Sequence, residues 1–372
     1  MELTIANIIF YSFCGCTTIL LLYYLLIFRK LAFYNPKEHF NDDKKPVSVI
    51  VCAKDEDRNL AKNIPGLIFQ QYEGVHQLLI VNDNSEDDTR FILEELNRSF
   101  QKLSLLHLEQ HAKHIPGKKY PLSIGIREAK NDIVLLTDAD CVPATEYWIA
   151  KMMTAYNNPQ TEIVLGYGAY YKTPGFLNKL IRFETFHTAF QYLSYALCGL
   201  TYMGVGRNLS YKKELFLKNK GFSSINKIPG GDDDLFINKV ANKNNVSIVI
   251  DKDAHTLSTP KKTWKQWKQQ KTRHYSTSKY YKFKHKFLLG LYSLSQFLFY
   301  PLLITTFFFF DWRVVLGIFL FKSLIQFIIM SKSMKKLNES DLIPWIFIMD
   351  IWQFFYYILF APKLWKKVDK GW

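Results

Sequence analysis

Residues 3 to 28 carry no charged side chain over 26 positions, a run that as a helix rising ~1.5 Å per residue exceeds the ~30 Å hydrocarbon thickness of a bilayer. A chain that begins this way is expected to be anchored in a membrane. A cleaved signal peptide is the competing reading, but no Lys or Arg precedes the run and it is too long for an h-region. Three further apolar runs follow at 287–310, 314–330 and 342–361. Mean hydropathy is nevertheless only −0.08, so the middle of the chain must be strongly polar.

Basic residues cluster after the first run (Arg29, Lys30, Lys37, Lys44, Lys45), before the second (Lys279, Lys282, Lys284, Lys286) and after the third (Lys332, Lys335, Lys336). Only Asp311 and Arg313 separate the second from the third. The positive-inside rule then puts Met1 outside and residues 29–286 in the cytoplasm of a multi-pass protein of the cell (inner) membrane. The fourth run conflicts with this, because a further crossing would carry Lys363, Lys366, Lys367 and Lys370 outward, so a re-entrant or interfacial segment is the alternative. Lys322 and Asp350 lie near the centres of the third and fourth runs and are expected to pair with each other. The formal charge of +15, from 48 basic and 33 acidic residues, is thus largely explained by topology. Nucleic acid is excluded as a partner, since no RNP, zinc-finger or basic-zipper pattern accompanies the charge. Five cysteines without a CxxC pair are expected to be reduced thiols.

The expected organisation is an N-terminal anchor at 1–30, an α/β domain at 40–286, transmembrane or interfacial helices at 287–361 and a basic tail at 362–372. Within the middle domain, 47–53, 77–81, 103–108 and 133–137 read as buried strands. Amphipathic stretches at 59–70, 88–100 and 120–129 read as helices between them. That order predicts a mostly parallel sheet, whose ligands bind beyond the carboxyl ends of the strands. A long aromatic helix near 176–198 reads as core or interface packing.

Three acidic clusters sit where strands end. The first, VNDNSEDDT at 81–89, could accept from a base edge or ribose hydroxyls, although such clusters also form ordinary turns. The second, TDAD at 137–140, can bring Asp138 and Asp140 to one point only if the chain turns there, and such a pair suits Mg²⁺ or Mn²⁺. Helix capping is the alternative. In the third, GGDDDLF at 230–236, three adjacent carboxylates repel, so at least one pKa should rise into the range of a general base. Acidic residues also favour a helix N-terminus.

Taken together with VSVIVCAKDEDRNL (47–60), GKKYPLSIGIREAKNDIVLLTDAD (117–140), GVGRNLSYKKELF (204–216), GDDDLFIN (231–238) and QKTRH (270–274), these clusters resemble the family-2 glycosyltransferases of GT-A fold, in their membrane-embedded bacterial branch. The resemblance implies a Rossmann-like GT-A domain that moves a sugar, with inversion, from a nucleotide-diphosphate sugar, expected to be UDP-linked, to an acceptor hydroxyl. It implies that Ala53, Glu56 and Asp83 hold the nucleoside and that Lys118 reaches toward the donor. Asp138 would contact ribose or sugar, and with Asp140 would bind a divalent metal on the diphosphate. Asp233 would be the base, with Asp232 as the lesser candidate, and Gln270 and Arg273 would match a QxxRW motif. Asp83, Asp140 and Asp233 should therefore meet at one cleft. The acceptor would be a lipid-linked sugar, a glycolipid or a polysaccharide, with membrane lipids as further partners.

Two departures from the family pattern stand out. Asn82 replaces the first of two aspartates, and His274 replaces the Trp of QxxRW, which weakens the case for processivity. Trp264 and Trp267 could offer a sugar-stacking face or anchor at the membrane interface. His255 reads as structural rather than metal-binding, and His111 and His114 as part of a solvated loop. The rival functions are a processive polysaccharide synthase, a non-catalytic membrane-tethered nucleotide-binding protein and a sugar nucleotidyltransferase.

Overall fold

The computed structural model describes residues 5–36, 44–100, 102–109, 115–274 and 277–360, except the side chains of Arg273 and His274. His111, His114 and the basic tail lie outside the described residues. In chain order the elements are α1 (Ile5–Ala32), β1 (Val47–Ala53), α2 (Asp57–Ile68), β2 (His76–Asp83), α3 (Thr89–Ser99), β3 (Leu103–Leu108), α4 (Lys119–Glu128), β4 (Ile133–Asp138) and β5 (Cys141–Pro143). They continue with α5 (Trp148–Met153), β6 (Ile163–Leu165), β7 (Gly168–Tyr170), α6 (Phe176–Leu197), β8 (Leu209–Lys212), α7 (Lys213–Lys218), α8 (Asp234–Val240), β9 (Val246–Ile248) and β10 (Thr256–Ser258). The chain closes with α9 (Trp264–His274), α10 (Phe283–Phe309), α11 (Trp312–Lys336), a 3₁₀ turn at Ser340–Trp345 and α12 (Ile346–Phe360).

Seven strands form one sheet in the order β3-β2-β1-β4-β8-β6-β9, and β5-β10-β7 form a second, small one. β1 pairs in parallel with both β2 and β4, so the chain order reverses beside β1 and opens a crevice at the carboxyl ends of β1 and β4. β8 is antiparallel to β4 and β6. The sheet is mostly parallel, as the sequence predicts, with β8 the one strand that runs against its neighbours. Every residue of β1 is buried, as its uninterrupted apolar run requires of a strand covered on both faces.

One face of the sheet, with Val49, Val51, Leu78 and Leu135, packs under α2 and α5. The other, with Ile50, Val81, Val134 and Leu136, belongs to a core that continues through α6 into α1, α10 and α11. This explains why α6 is apolar around much of its circumference: it lies between the sheet and the helical bundle, and a helix buried on all sides has no need of a polar stripe.

Four helical segments are long and apolar enough to cross a membrane: Ile5–Ala32, Phe283–Phe309, Trp312–Lys336 and Ser340–Phe360. Lys322 and Asp350 meet as expected, with Nζ 3.4 Å from the carboxylate. Gln296 and Gln326 also donate to Asp350, at 2.8 and 2.7 Å. All five cysteines are free.

Candidate active site

A cleft of about 750 Å³ opens at the carboxyl ends of β1 and β4. Its floor follows from strand register, because Cys52 of β1 pairs with Asp138 of β4. The loops after β1 and β2 are joined across the sheet. Asp55 donates its N–H to Ser85 Oγ at 3.0 Å, its own carboxylate accepts from Glu86 N at 2.8 Å, and Glu56 donates its N–H to Thr89 Oγ1 at 2.9 Å. Asp55 and Asn84 both adopt left-handed backbone, at φ of 53° and 51°, a conformation that short polar side chains tolerate. Asn82, the departure from the family pattern, is the hinge of this arrangement. Its Oδ1 accepts from Ser85 Oγ at 2.6 Å, and its Nδ2 lies 3.1 Å from His107 Nδ1 on β3.

Asp138 and Asp140 converge because β4 ends in a two-residue turn before β5. Oxygens of both and the Cys141 sulfur lie within 4.8 Å of one another. Cys141 does not fit as a ligand for a hard ion. Burial pushes its thiol pKa up, and its sulfur sits 2.9 Å from Ser258 Oγ. The two carboxylates do fit, since a hard cation that keeps several waters is held by one or two such groups together with a substrate phosphate. Lys118 Nζ lies 2.6 Å from Asp138 and 3.3 Å from Asp232. Burial works against its charge, but Asp138, Asp232 and Asp233 hold its pKa well above the ordinary lysine value. The Glu56 carboxyl is shifted upward, mainly by burial, and Asp140 and Asp138 add to the effect.

The acidic triplet separates into three environments. Asp232 faces Lys118. Asp233 caps α8 through Asp234 N at 2.7 Å, and its other oxygen accepts from Gly206 N at 2.8 Å. Burial first, then repulsion from Asp232 and Asp234, raises the Asp233 pKa from 3.8 to about 7. Asp234 is turned away into bonds from Thr277, from Tyr281 at 2.8 Å and from Leu235 N at 2.7 Å. Of the two candidate bases, Asp233 therefore carries the pKa expected of one.

Gln270 lines the cleft and donates to Tyr170 Oη at 3.3 Å. Arg273 belongs to the same helix, but its side chain, like that of His274, lies outside the described residues. Ala53 and Asp83 do not line the cleft. Each is the last residue of its strand, and Asp83 lies one strand further from the switch point, buried and bonded by Asn84 at 3.3 Å. The expected meeting of three acids thus holds for Asp140 and Asp233, with Asp83 set behind.

Trp267 offers no stacking face. It is 3% exposed, and its Nε1 donates to Glu184 at 3.0 Å. His255 is structural as read, buried edge-on to Tyr167 and 3.3 Å from the Ile250 carbonyl. Burial lowers its pKa to about 4.

Two cleft-side residues escaped the sequence reading. The Arg207 guanidinium sits over Tyr170, 4.6 Å from the ring centre, and donates to the Gly168 carbonyl at 2.9 Å. Lys119, 1% exposed, donates to the carbonyls of Pro116, Ile228 and Gly230 at 3.1, 2.5 and 2.8 Å. It ties the loop that carries Lys118 to the loop that carries Asp232 and Asp233. The available signal was a second lysine beside Lys118 and a lone charged residue, Arg207, in the run GVGRN.

Residues 48–219 match the glycosyl transferase family 2 model. A stretch of 101 residues is 33% identical to the beta-monoglucosyldiacylglycerol synthase of Trichormus variabilis, covering 27% of this chain and 21% of that one. The probable glycosyltransferase YdaM of Bacillus subtilis is 24% identical over 172 residues, 43% of this chain and 40% of that one. The chain thus spans about a fifth to two-fifths of the length of these relatives. In fold, mannosyltransferase PcManGT from Pyrobaculum calidifontis, solved in complex with GDP-Man and Mn²⁺, aligns with a TM-score of 0.58 at 16% identity over 94% of this chain and 99% of that one. A GT-A fold flanked by apolar helices defines the class. The chain carries a glycosyl transferase family 2 domain within that fold.

Proposed function

We propose that this chain transfers a sugar from a nucleoside-diphosphate sugar to a hydroxyl of an acceptor presented by the membrane, with inversion at the anomeric carbon. The observation that carries the proposal is Asp233, a cleft-lining carboxylate with a pKa near 7 on the wall that also bears Lys118 and Asp138. A neutral hydroxyl needs such a base within hydrogen-bond reach, a contribution of ~10² to 10⁴ in rate. Asp140, assisted by Asp138, would hold a divalent cation, which when bound supplies charge neutralisation for the leaving diphosphate. Lys118, Gln270 and Arg273 would add fixed positive or donor groups on the same side. Glu56 would meet the nucleoside, with Ala53 and Asp83 supporting the loops behind it.

The clusters of Lys and Arg beside α1, α10 and α11 support a cytoplasmic active site on a multi-pass protein of the cell membrane. His274, where processive relatives carry Trp, favours a single transfer over polymerisation. The test is a screen of UDP- and GDP-sugars in membranes with Mg²⁺ and with Mn²⁺, reading release of nucleoside diphosphate. Asp140→Ala should abolish metal-dependent release, and Asp233→Asn should keep donor binding while turnover falls by ~10² or more. Undiminished turnover in Asp233→Asn would remove the proposed base.

A further inference from the structure

By composition α12 is one more span, yet its contacts do not allow it to leave the cytoplasmic face. The described helix runs Ile346–Phe360, and the 21-residue apolar stretch Ser340–Phe360 includes the 3₁₀ turn before it. The turn before it is fixed to the catalytic domain, where Arg182 of α6 binds both Glu339 and Asp341, and Tyr167 donates to Glu339 at 3.0 Å. At the entrance to α12, Trp345 packs on Phe176 at 5.9 Å and lies under Lys179 Nζ at 4.1 Å. Halfway along, Trp352 meets Trp264 of α9 at 6.4 Å, and at the end Phe360 meets Trp267 of α9 at 5.5 Å. Phe176 itself touches Trp264 at 6.4 Å. The entrance of α12 therefore meets Phe176 of α6, and its middle and end keep level with one short helix, α9. That helix exposes Lys265 and Lys268, charges that belong in the headgroup layer and not in hydrocarbon.

On its other flank α12 crosses the bundle. Phe347 stacks on Phe327 of α11 at 5.9 Å, Asp350 reaches both α11 and α10, and Phe354 stacks on Phe297 of α10 at 5.1 Å. Its outward side chains, Phe347, Ile348, Ile351, Phe355, Ile358 and Leu359, are all apolar and about half exposed. Phe347 and Phe327 of α11, both partly exposed, stack on each other, so this surface passes from α12 to α11. On the inward side Tyr356 lines the same cleft as Asp233, as do Thr185, Thr188 and Tyr192 of α6.

We infer that α12 is an in-plane helix of the cytoplasmic leaflet. Its outer face is dissolved in acyl chains, and its inner edge at Tyr356 is the sill of a lateral doorway into the cleft. The partner this doorway fits is a membrane amphiphile, its tail beside α12 and its hydroxyl-bearing head passing between α6 and α12 toward Asp233. The choice of acceptor rests on the proposed sugar transfer, whereas the placement of the helix stands without it.

The helix is tested by its depth. Spin labels on single cysteines at Ile348, Ile351, Phe355 and Leu359 of the full chain in phospholipid vesicles should report equal oxygen-to-nickel accessibility. A crossing helix would instead show a steady gradient, about 16 Å over those 11 residues, and would overturn the inference. A C-terminal reporter on the otherwise unaltered chain needs no cysteine replacement, and must fall on the cytoplasmic side. A periplasmic reporter refutes the placement. For the doorway, Tyr356→Trp should raise the KM for the lipid acceptor about tenfold, about 1.4 kcal/mol of lost interaction, against a constant KM for donor. Equal movement of the two constants refutes the doorway. If no donor supports transfer in any variant, sugar transfer fails while the depth profile still decides the helix.

Discussion

Asp233→Asn should stabilise the protein as it inactivates it, with a margin that grows with pH. The substitution keeps side-chain shape, and Asn is as good an N-cap as Asp, so α8 retains its start. What it removes is an ionisable group that the fold holds in its protonated form. Burial, then the charges of Asp232 and Asp234, lift its pKa from 3.8 to about 7 against the opposing pull of Lys118 and the Gly206 N–H. The native state thus binds this proton more tightly than the unfolded chain does. The ionised form costs the fold nothing below pH 3.8, progressively more as pH rises, and its full amount above about 7. At about 1.4 kcal/mol per pH unit, the full cost is about 4 kcal/mol.

Asn cannot accept with both ends, so one of the two bonds, to Gly206 N or Asp234 N, is lost at about 1 kcal/mol. That loss is independent of pH. Between about pH 5.5 and about pH 8.5, the advantage of the variant over the native protein should therefore widen by about 2 kcal/mol. The assay is unfolding of both proteins in detergent with a chelator present, so that no bound cation shifts the titration, across that pH range. A margin that stays flat would mean that Lys118 keeps Asp233 ionised throughout, and a margin that narrows would reverse the sign. Either result removes the physical basis for Asp233 as a base at neutral pH.

Lys119→Met strips three carbonyls of a charged donor at a buried site, and should cost about 3 kcal/mol in the same unfolding assay. It should also lower kcat, because the loops carrying Lys118 and Asp233 lose their tie; unchanged kcat alongside lost stability would make Lys119 purely structural. In the bundle, Lys322→Asp or Asp350→Lys alone should prevent accumulation in membranes, since breaking a buried ion pair costs about 3 to 5 kcal/mol. The double exchange should restore accumulation, and failure to do so would show that Gln296 and Gln326, rather than Lys322, set the charge state of this site.

The strands were legible because burial on both faces leaves uninterrupted apolar runs such as 47–53, ended by the polar residues that form the site. Asp138 and Asp140 were legible for the same reason, as the end of β4 fixes where they emerge. β8 was not, because four residues, LSYK, take their antiparallel register from neighbours distant in sequence, through contacts such as Ser210 Oγ to the Val134 carbonyl at 2.7 Å. Arg207 and Lys119 were hidden among 48 basic residues, since the carbonyls that hold them come together only in the folded chain. Hydropathy could not separate α12 from a span, because an in-plane helix and a crossing helix can share a composition and differ only in what they touch at each end.

The acidic triplet shows most clearly how far the sequence reading goes. Adjacency alone implies that Asp232, Asp233 and Asp234 repel and that the pKa of at least one of them rises. It does not say which, since that depends on partners supplied from four separate segments. Lys118 faces Asp232, Thr277 and Tyr281 bind Asp234, and Asp233 is left with two backbone N–H groups and the pull of Lys118, a compensation too small to offset its burial between two acids. The raised pKa is therefore the residue of three unequal compensations. A change that altered them, such as Thr277→Val, which takes a donor from Asp234, should shift the proton toward Asp234 and move the pH dependence of turnover.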